Sequence, residues 1–103
     1  MLNQTVLVGR LVSDPQINET EEGKKIATIT IANTRSYKNE NGEYDTDFIP
    51  CTLLGTIAES TTEYCHKGDI IGVKGRVQSK DEKIEIIAEK VTFLTSHKES
   101  EEE

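Results

Sequence analysis

The sequence predicts an all-β domain with one helix, a small five-stranded barrel closed on itself. Three observations carry this. Five stretches alternate apolar and polar residues at the period of a strand. One helical pattern falls between the third and fourth of them. A glycine sits in the middle of the first, where it costs entropy and packs nothing, so it marks a bend or bulge. A bent strand can pair on two sides and close a barrel.

The first strand is read over 4–12, Thr5-Val6-Leu7-Val8-Gly9-Arg10-Leu11-Val12 at its heart. Asp14-Pro15 breaks it. Residues 13–24 are polar, and Glu22-Gly23 signals a turn. The second strand runs over 25–35, with Ala27, Ile29 and Ile31 alternating with Thr28 and Thr30. Asn41-Gly42 then gives the strongest hairpin signal in the chain.

The third strand, 44–54, has two unlike faces. Ile49, Cys51 and Leu53 form a short apolar set, read as core. Tyr44, Thr46, Phe48, Pro50, Thr52 and Leu54 form the other, a partly wet face that exposes rings.

The helix follows. Thr56-x-x-Glu59 reads as a capping box. Ile57, Ala58, Thr61, Tyr64 and Cys65 share one helical face, with Tyr64 read as core. Lys67-Gly68 reads as the stop. The fourth strand, 69–78, turns Ile71, Val73, Gly75 and Val77 inward and Lys74, Arg76 and Gln78 outward. Ser79-Lys80-Asp81-Glu82 is a short polar turn. In the fifth strand, 83–94, Ile84, Ile86 and Ala88 alternate with Glu85 and Glu89; Ile87 interrupts the pattern, which leaves its face open.

Three strands, a helix and two strands are the order of the OB-fold, a five-stranded Greek-key barrel with its helix between strands three and four. A small SH3-like barrel is the rival, without a capped helix at that point. The domain is read as 1–95, and 96–103 as a short acidic tail that is solvating or competes for the basic face.

Composition narrows the function. The 103 residues support one domain with a modest core. No apolar run is long enough to span a membrane, and the N-terminus lacks the features of a signal peptide, so a cytoplasmic protein is expected. Cys51 and Cys65 lack metal-knuckle spacing and read as buried reduced thiols, a disulfide being the lesser reading. No metal and no cofactor are expected. His66 and His97 have no nucleophile, carboxylate pair or glycine-rich phosphate loop spaced for chemistry, which argues against an enzyme. The net charge is −7; without the last six residues, which hold four acids and one base, 15 acids and 11 bases remain, a net of −4. Nucleic-acid binding by overall charge is thereby excluded. Such binding needs a local basic face and a non-ionic contribution.

The opening Met-Leu-Asn-Gln-Thr-Val-Leu-Val-Gly-Arg-Leu-Val-x-Asp-Pro resembles the N-terminus of the bacterial and phage single-stranded DNA-binding proteins. The resemblance continues through Ala32-Asn33-x-Arg35, Asn41-Gly42-Glu43, Asp47-Phe48-Ile49, Ala58-Glu59, Tyr64, Lys67-Gly68 and Val73-x-Gly75-Arg76-Val77-Gln78, and covers about residues 1–94. It implies a homo-oligomer, a tetramer or a dimer, built on paired first strands. It further implies sequence-independent single-stranded DNA binding in replication, recombination or repair, with bases stacked on exposed aromatics.

Carried over by position, two stacking sites fall on Tyr37 and Phe48. Alternation had already put Phe48 on the outer face. A third falls on Leu54, which has no π-face and reads as packing. A fourth is missing from the short hairpin around Lys80–Glu82. The cations nearest the rings, read as phosphate contacts, are Arg35, Lys38, Lys74, Arg76 and Lys80, with Arg10 a weaker candidate. The bland alternatives are a subunit interface or barrel edge for Phe48, an ordinary hairpin tyrosine for Tyr37, and solvated charge for the cations. The family's long tail, closed by a proline and an aromatic, has no counterpart in Glu101-Glu102-Glu103, which puts recruitment of replication and repair partners through that tip in question. The competing function is an OB-type protein-interaction module of a replication or mobile-element complex with weak DNA affinity.

Overall fold

The computed structural model describes residues 1–95; the tail read over 96–103 lies outside them. The strands are β1 (Thr5–Leu11), β2 (Gln16–Glu19), β3 (Lys25–Lys38), β4 (Tyr44–Leu54), β5 (Ile70–Lys80) and β6 (Lys83–Phe93), with α1 (Thr56–Tyr64) between β4 and β5. The sheet order is β1-β5-β6-β4-β3-β2, and a further β1–β3 pairing closes five strands into a ring. The fold class predicted from the sequence is the one observed.

Closure depends on the bend in β1. Thr5 to Arg10 pair with β5, and Arg10 and Leu11 pair with Ala32 and Ile31 of β3. Gly9 lies at the crossing, where a Cβ would overlap the Ile31 side chain and the Ala32 carbonyl. Gly75 has the same role on the other side, since a Cβ there would overlap the Ile87 carbonyl. Backbones approach this closely only where no side chain intervenes.

The barrel is filled by Leu7, Leu11, Ala27, Ile29, Ile31, Cys51, Leu53, Ile71, Val73, Ile86 and Ala88, with Ala58 and Cys65 from the helical segment. Each strand contributes alternate residues, as the period-two reading required. Both cysteines are free and buried. Burial pushes each thiol up to about 11, with the charge of Asp69 adding to the effect at Cys65. They are inert core residues at neutral pH.

Several elements differ from their sequence reading. The polar segment 13–24 holds the short strand β2 on the outer edge of β3, where polar residues suit an edge. Only Ile17 packs inward from it, too sparse a signal to read. The capping box does not form: Gly55 is the N-cap at φ 63°, with no side-chain cap bond, and Thr56 is already helical. The Gly55 amide instead donates to the Lys25 carbonyl at 2.9 Å, tying the helix start to β3. The helix ends at Tyr64, with Cys65 extended, so Gly68 belongs to the next turn and its amide donates to Leu11.

Tyr64 is exposed rather than core, its ring centroid 6.0 Å from that of Phe93. Val77 and Ile84 are exposed too, because the β5–β6 hairpin has left the barrel by that point. Ile87 is 6% exposed and faces outward, opposite Thr52 of β4 and Arg76 of β5. Ile86 and Ala88 keep the core alternation on either side of it, and the register slips only beyond them, where Glu89 is an extra residue between the pairs Lys74↔Lys90 and Gly75↔Ala88.

Candidate nucleic-acid interface

The β3–β4 hairpin outgrows the barrel. From Thr34 to Lys38 and from Tyr44 to Thr46 every residue is exposed, so this part is an arm with solvent on both faces. Its tip is held by one side chain. Asn39 Oδ1 accepts from the amides of Asn41 at 2.8 Å and Glu43 at 3.0 Å, and Asn39 Nδ2 donates to Asp45 at 3.1 Å. The Asn41-Gly42 turn is where the sequence put it, with Gly42 at φ 80°.

Along the arm the register slips. Thr34 pairs with Thr46 and Lys38 with Tyr44, so Arg35, Ser36 and Tyr37 oppose Asp45 alone. Such a bulge twists a strand and re-aims its side chains. Tyr37 lies within it, 64% exposed. Phe48 is 65% exposed and sits opposite Ala32, whose small side chain leaves the ring uncovered. Leu54 is also exposed on the outer face, but six residues further along β4, roughly 20 Å at the rise of a strand. It lines a separate cleft with Lys24, Lys25, Ile26 and Thr56. The structure therefore places Tyr37 on the arm and Phe48 at its root, opposite the barrel residue Ala32, and leaves Leu54 apart.

The cations divide by what they already hold. Arg35 is committed: Nε and Nη2 donate to the two Asp47 oxygens at 3.0 and 2.9 Å, and Asp45 lies 3.7 Å away. The hydrogen bond and charge of Asp47, followed by Tyr37 and Asp45, raise the Arg35 pKa, and the Arg35 hydrogen bond holds Asp47 below the usual carboxylate range. Arg76 is half committed, 3.7 Å from Glu89 and donating to Gln78 at 2.9 Å. Arg10 donates to the Gly68 carbonyl at 2.8 Å and serves the barrel. Lys38, Lys74 and Lys80 form no ion pair among the described residues. Lys74 lies toward β1, opposite Val6 and Lys90, away from the rings.

Two residues of this surface went unassigned in the sequence. Lys83 stands directly opposite Lys80 across the β5–β6 turn. Ile84, 66% exposed, joins Lys80, Lys83, Glu85 and Pro50 around an open groove of about 320 Å³ between β4 and that hairpin. The hairpin register would have found Lys83; nothing in the alternation distinguished Ile84 from the core.

Residues 2–94 match the Single-strand binding protein family. The chain belongs to this family. It is 40% identical to single-stranded DNA-binding protein B of Bacillus subtilis, over 91% of each chain. It is 41% identical to single-stranded DNA-binding protein 3 of Listeria innocua, over 93% of this chain and 66% of that one. A single-stranded DNA-binding protein of Lactiplantibacillus plantarum is 38% identical over 98% of this chain and 55% of its own length. Tyr37 and Phe48, the two positions where the resemblance implies stacking, are both open to solvent, and the tip of the β5–β6 hairpin has no ring.

Proposed function

We propose that this chain binds single-stranded DNA without sequence preference and protects it during replication, recombination or repair. The observation that carries this is the pair of uncovered rings, Tyr37 on the arm and Phe48 at its root, both outside the core. Every base has a flat face, so stacking on such rings tolerates any sequence, and each contact contributes ~1–3 kcal/mol. Lys38 and Lys80 supply phosphate contacts, with Lys74 and Arg76 further along the strand. Arg35 contributes only when it leaves Asp47. This division suits an acidic chain: the grip is mainly non-ionic, and the cations act locally.

The working unit is a homo-oligomer. Val6 and Val8 are 72% and 47% exposed on the outer face of β1, and Leu94, 51% exposed, extends that apolar patch beside Gly72. A second copy covering the patch offsets its exposure and multiplies the stacking sites on one strand. Among the described residues no helix is long and apolar enough to cross a membrane; the place of action is the cytoplasm, at the nucleoid.

The test is a titration with oligo-dT at low and moderate salt. The chain has no tryptophan, so its emission is that of tyrosine. Quenching with tight binding is expected, weakened by salt, with ~1–3 kcal/mol lost in Tyr37→Ala and in Phe48→Ala. An absence of quenching at low salt would leave the protein-interaction module, which the acid balance and the sequestered Arg35 favour.

A further inference from the structure

Tyr37, Tyr44 and Phe48 lie on the β3–β4 arm or at its root, Tyr64 and Phe93 elsewhere. Tyr64 and Phe93 meet each other, with centroids 6.0 Å apart. The three on the arm have no ring partner among the described residues. Tyr44 is 54% exposed and follows directly on the tip that Asn39 holds. It shares the outer face with Phe48, four residues on, which is about 13 Å along the strand. That exceeds the ~3.4 Å between stacked bases, so the two rings would hold different bases of one chain.

Its cross-strand partner is Lys38, whose Nζ lies 5.9 Å from the ring centroid. At an exposed site such a contact is weak, so the ammonium can leave the ring for a stronger anion. Lys38 has no acidic partner among the described residues. A ring and a free cation side by side match the two parts of a nucleotide, base and phosphate.

We propose that Tyr44 and Lys38 form a third nucleotide platform, the ring taking a base and the ammonium its phosphate. This rests on the single-stranded DNA reading and extends it. The platform adds to the arm a stacking site beyond Tyr37 and Phe48.

Tyr44→Leu, Tyr44→Phe and Lys38→Gln test it by oligo-dT titration across a salt series. Tyr44→Leu is expected to weaken binding about 5- to 150-fold, the range of one lost stacking contact. Tyr44→Phe keeps the ring and is expected to bind as the unaltered chain does, which a hydroxyl contact would not reproduce, and Tyr44→Leu is expected to leave the urea midpoint unchanged, which a packing role would not. Lys38→Gln is expected to reduce the slope of log K against log salt by ~0.7, one phosphate contact on a single strand. If the unaltered chain binds and Tyr44→Leu binds equally well, the platform is overturned and the function stands. If the unaltered chain does not bind, the function falls and the platform with it.

Discussion

The two hairpins that leave the barrel are built differently. The β3–β4 arm is long, carries two extra residues in β3, and has an Asn39-braced tip and three rings. The β5–β6 hairpin turns in two residues, Asp81 and Glu82, and its projecting end, 77–84, carries no ring. In place of rings it sets Lys80 directly opposite Lys83 and exposes Ile84. Like charges facing each other across a ladder destabilise it. The two hairpins therefore offer different contacts: the β3–β4 arm presents rings with one cation unpaired among the described residues, Lys38, beside them, and the β5–β6 tip presents two cations at fixed spacing without a ring.

The largest effect comes from removing the root of the charged hairpin. Gly75 lies at the register slip of β5 on β6, where an added Cβ would overlap the Ile87 backbone. Neither backbone can yield without opening the ring of strands. Gly75→Ala is expected to cost about 3 kcal/mol of stability, the upper part of the usual range for overpacking. Urea denaturation measures it. A midpoint equal to that of the unaltered chain would mean that the hairpin is not anchored there.

A smaller effect separates the two arms by salt. If Lys80 and Lys83 each neutralise one phosphate, the double variant Lys80→Gln/Lys83→Gln should lower the salt slope by ~1.4. Phe48→Ala should lower affinity with nearly the same slope, since a ring releases no counterions. An identical slope for the double variant would assign the charged hairpin to another task.

Most of the fold was legible because strand and helix periods are properties of the chain alone. Ala27, Ile29 and Ile31, and Cys51 and Leu53, are buried as alternation required. The outward face of Phe48 followed from the same rule. What could not be read depends on where strands end relative to the barrel. Ile84 looks like core in sequence and is exposed because the hairpin projects beyond the layer that would cover it. Tyr64 fails for another reason: Ala58, Thr61 and the following Cys65 take the buried places, and Tyr64 lies to the side of them near Phe93. Arg35 looked like a free cation because its partner Asp47 is twelve residues away and comes within reach only through the β3–β4 register, which sets Asp47 opposite Asn33. The helix cap was misread by one residue, because Gly55 is fixed by the Lys25 carbonyl and not by a local side chain.

The smallest effect tests whether the tight turn stores strain. Asp81 and Glu82 have φ of 52° and 68°, the left-handed region. Two-residue hairpin turns of this kind favour Asp-Gly and Asn-Gly, since the second position tolerates side chains poorly. Asp81 suits its place, because a short polar side chain can bond locally there. Glu82 does not, and Glu82→Gly should stabilise the chain by about 1 kcal/mol: relief of a left-handed side chain, less the added freedom of glycine when unfolded. The turn keeps its length, so Lys80 and Lys83 stay opposed and the salt slope of binding should not change. Denaturation and titration on this one variant therefore separate the two properties. A gain in stability with an unaltered slope places the strain in the turn alone. A gain in stability accompanied by a shallower slope would mean that the strained conformation itself holds the lysines toward the strand, and the contrast between a stacking arm and a passive charged hairpin would have to be redrawn.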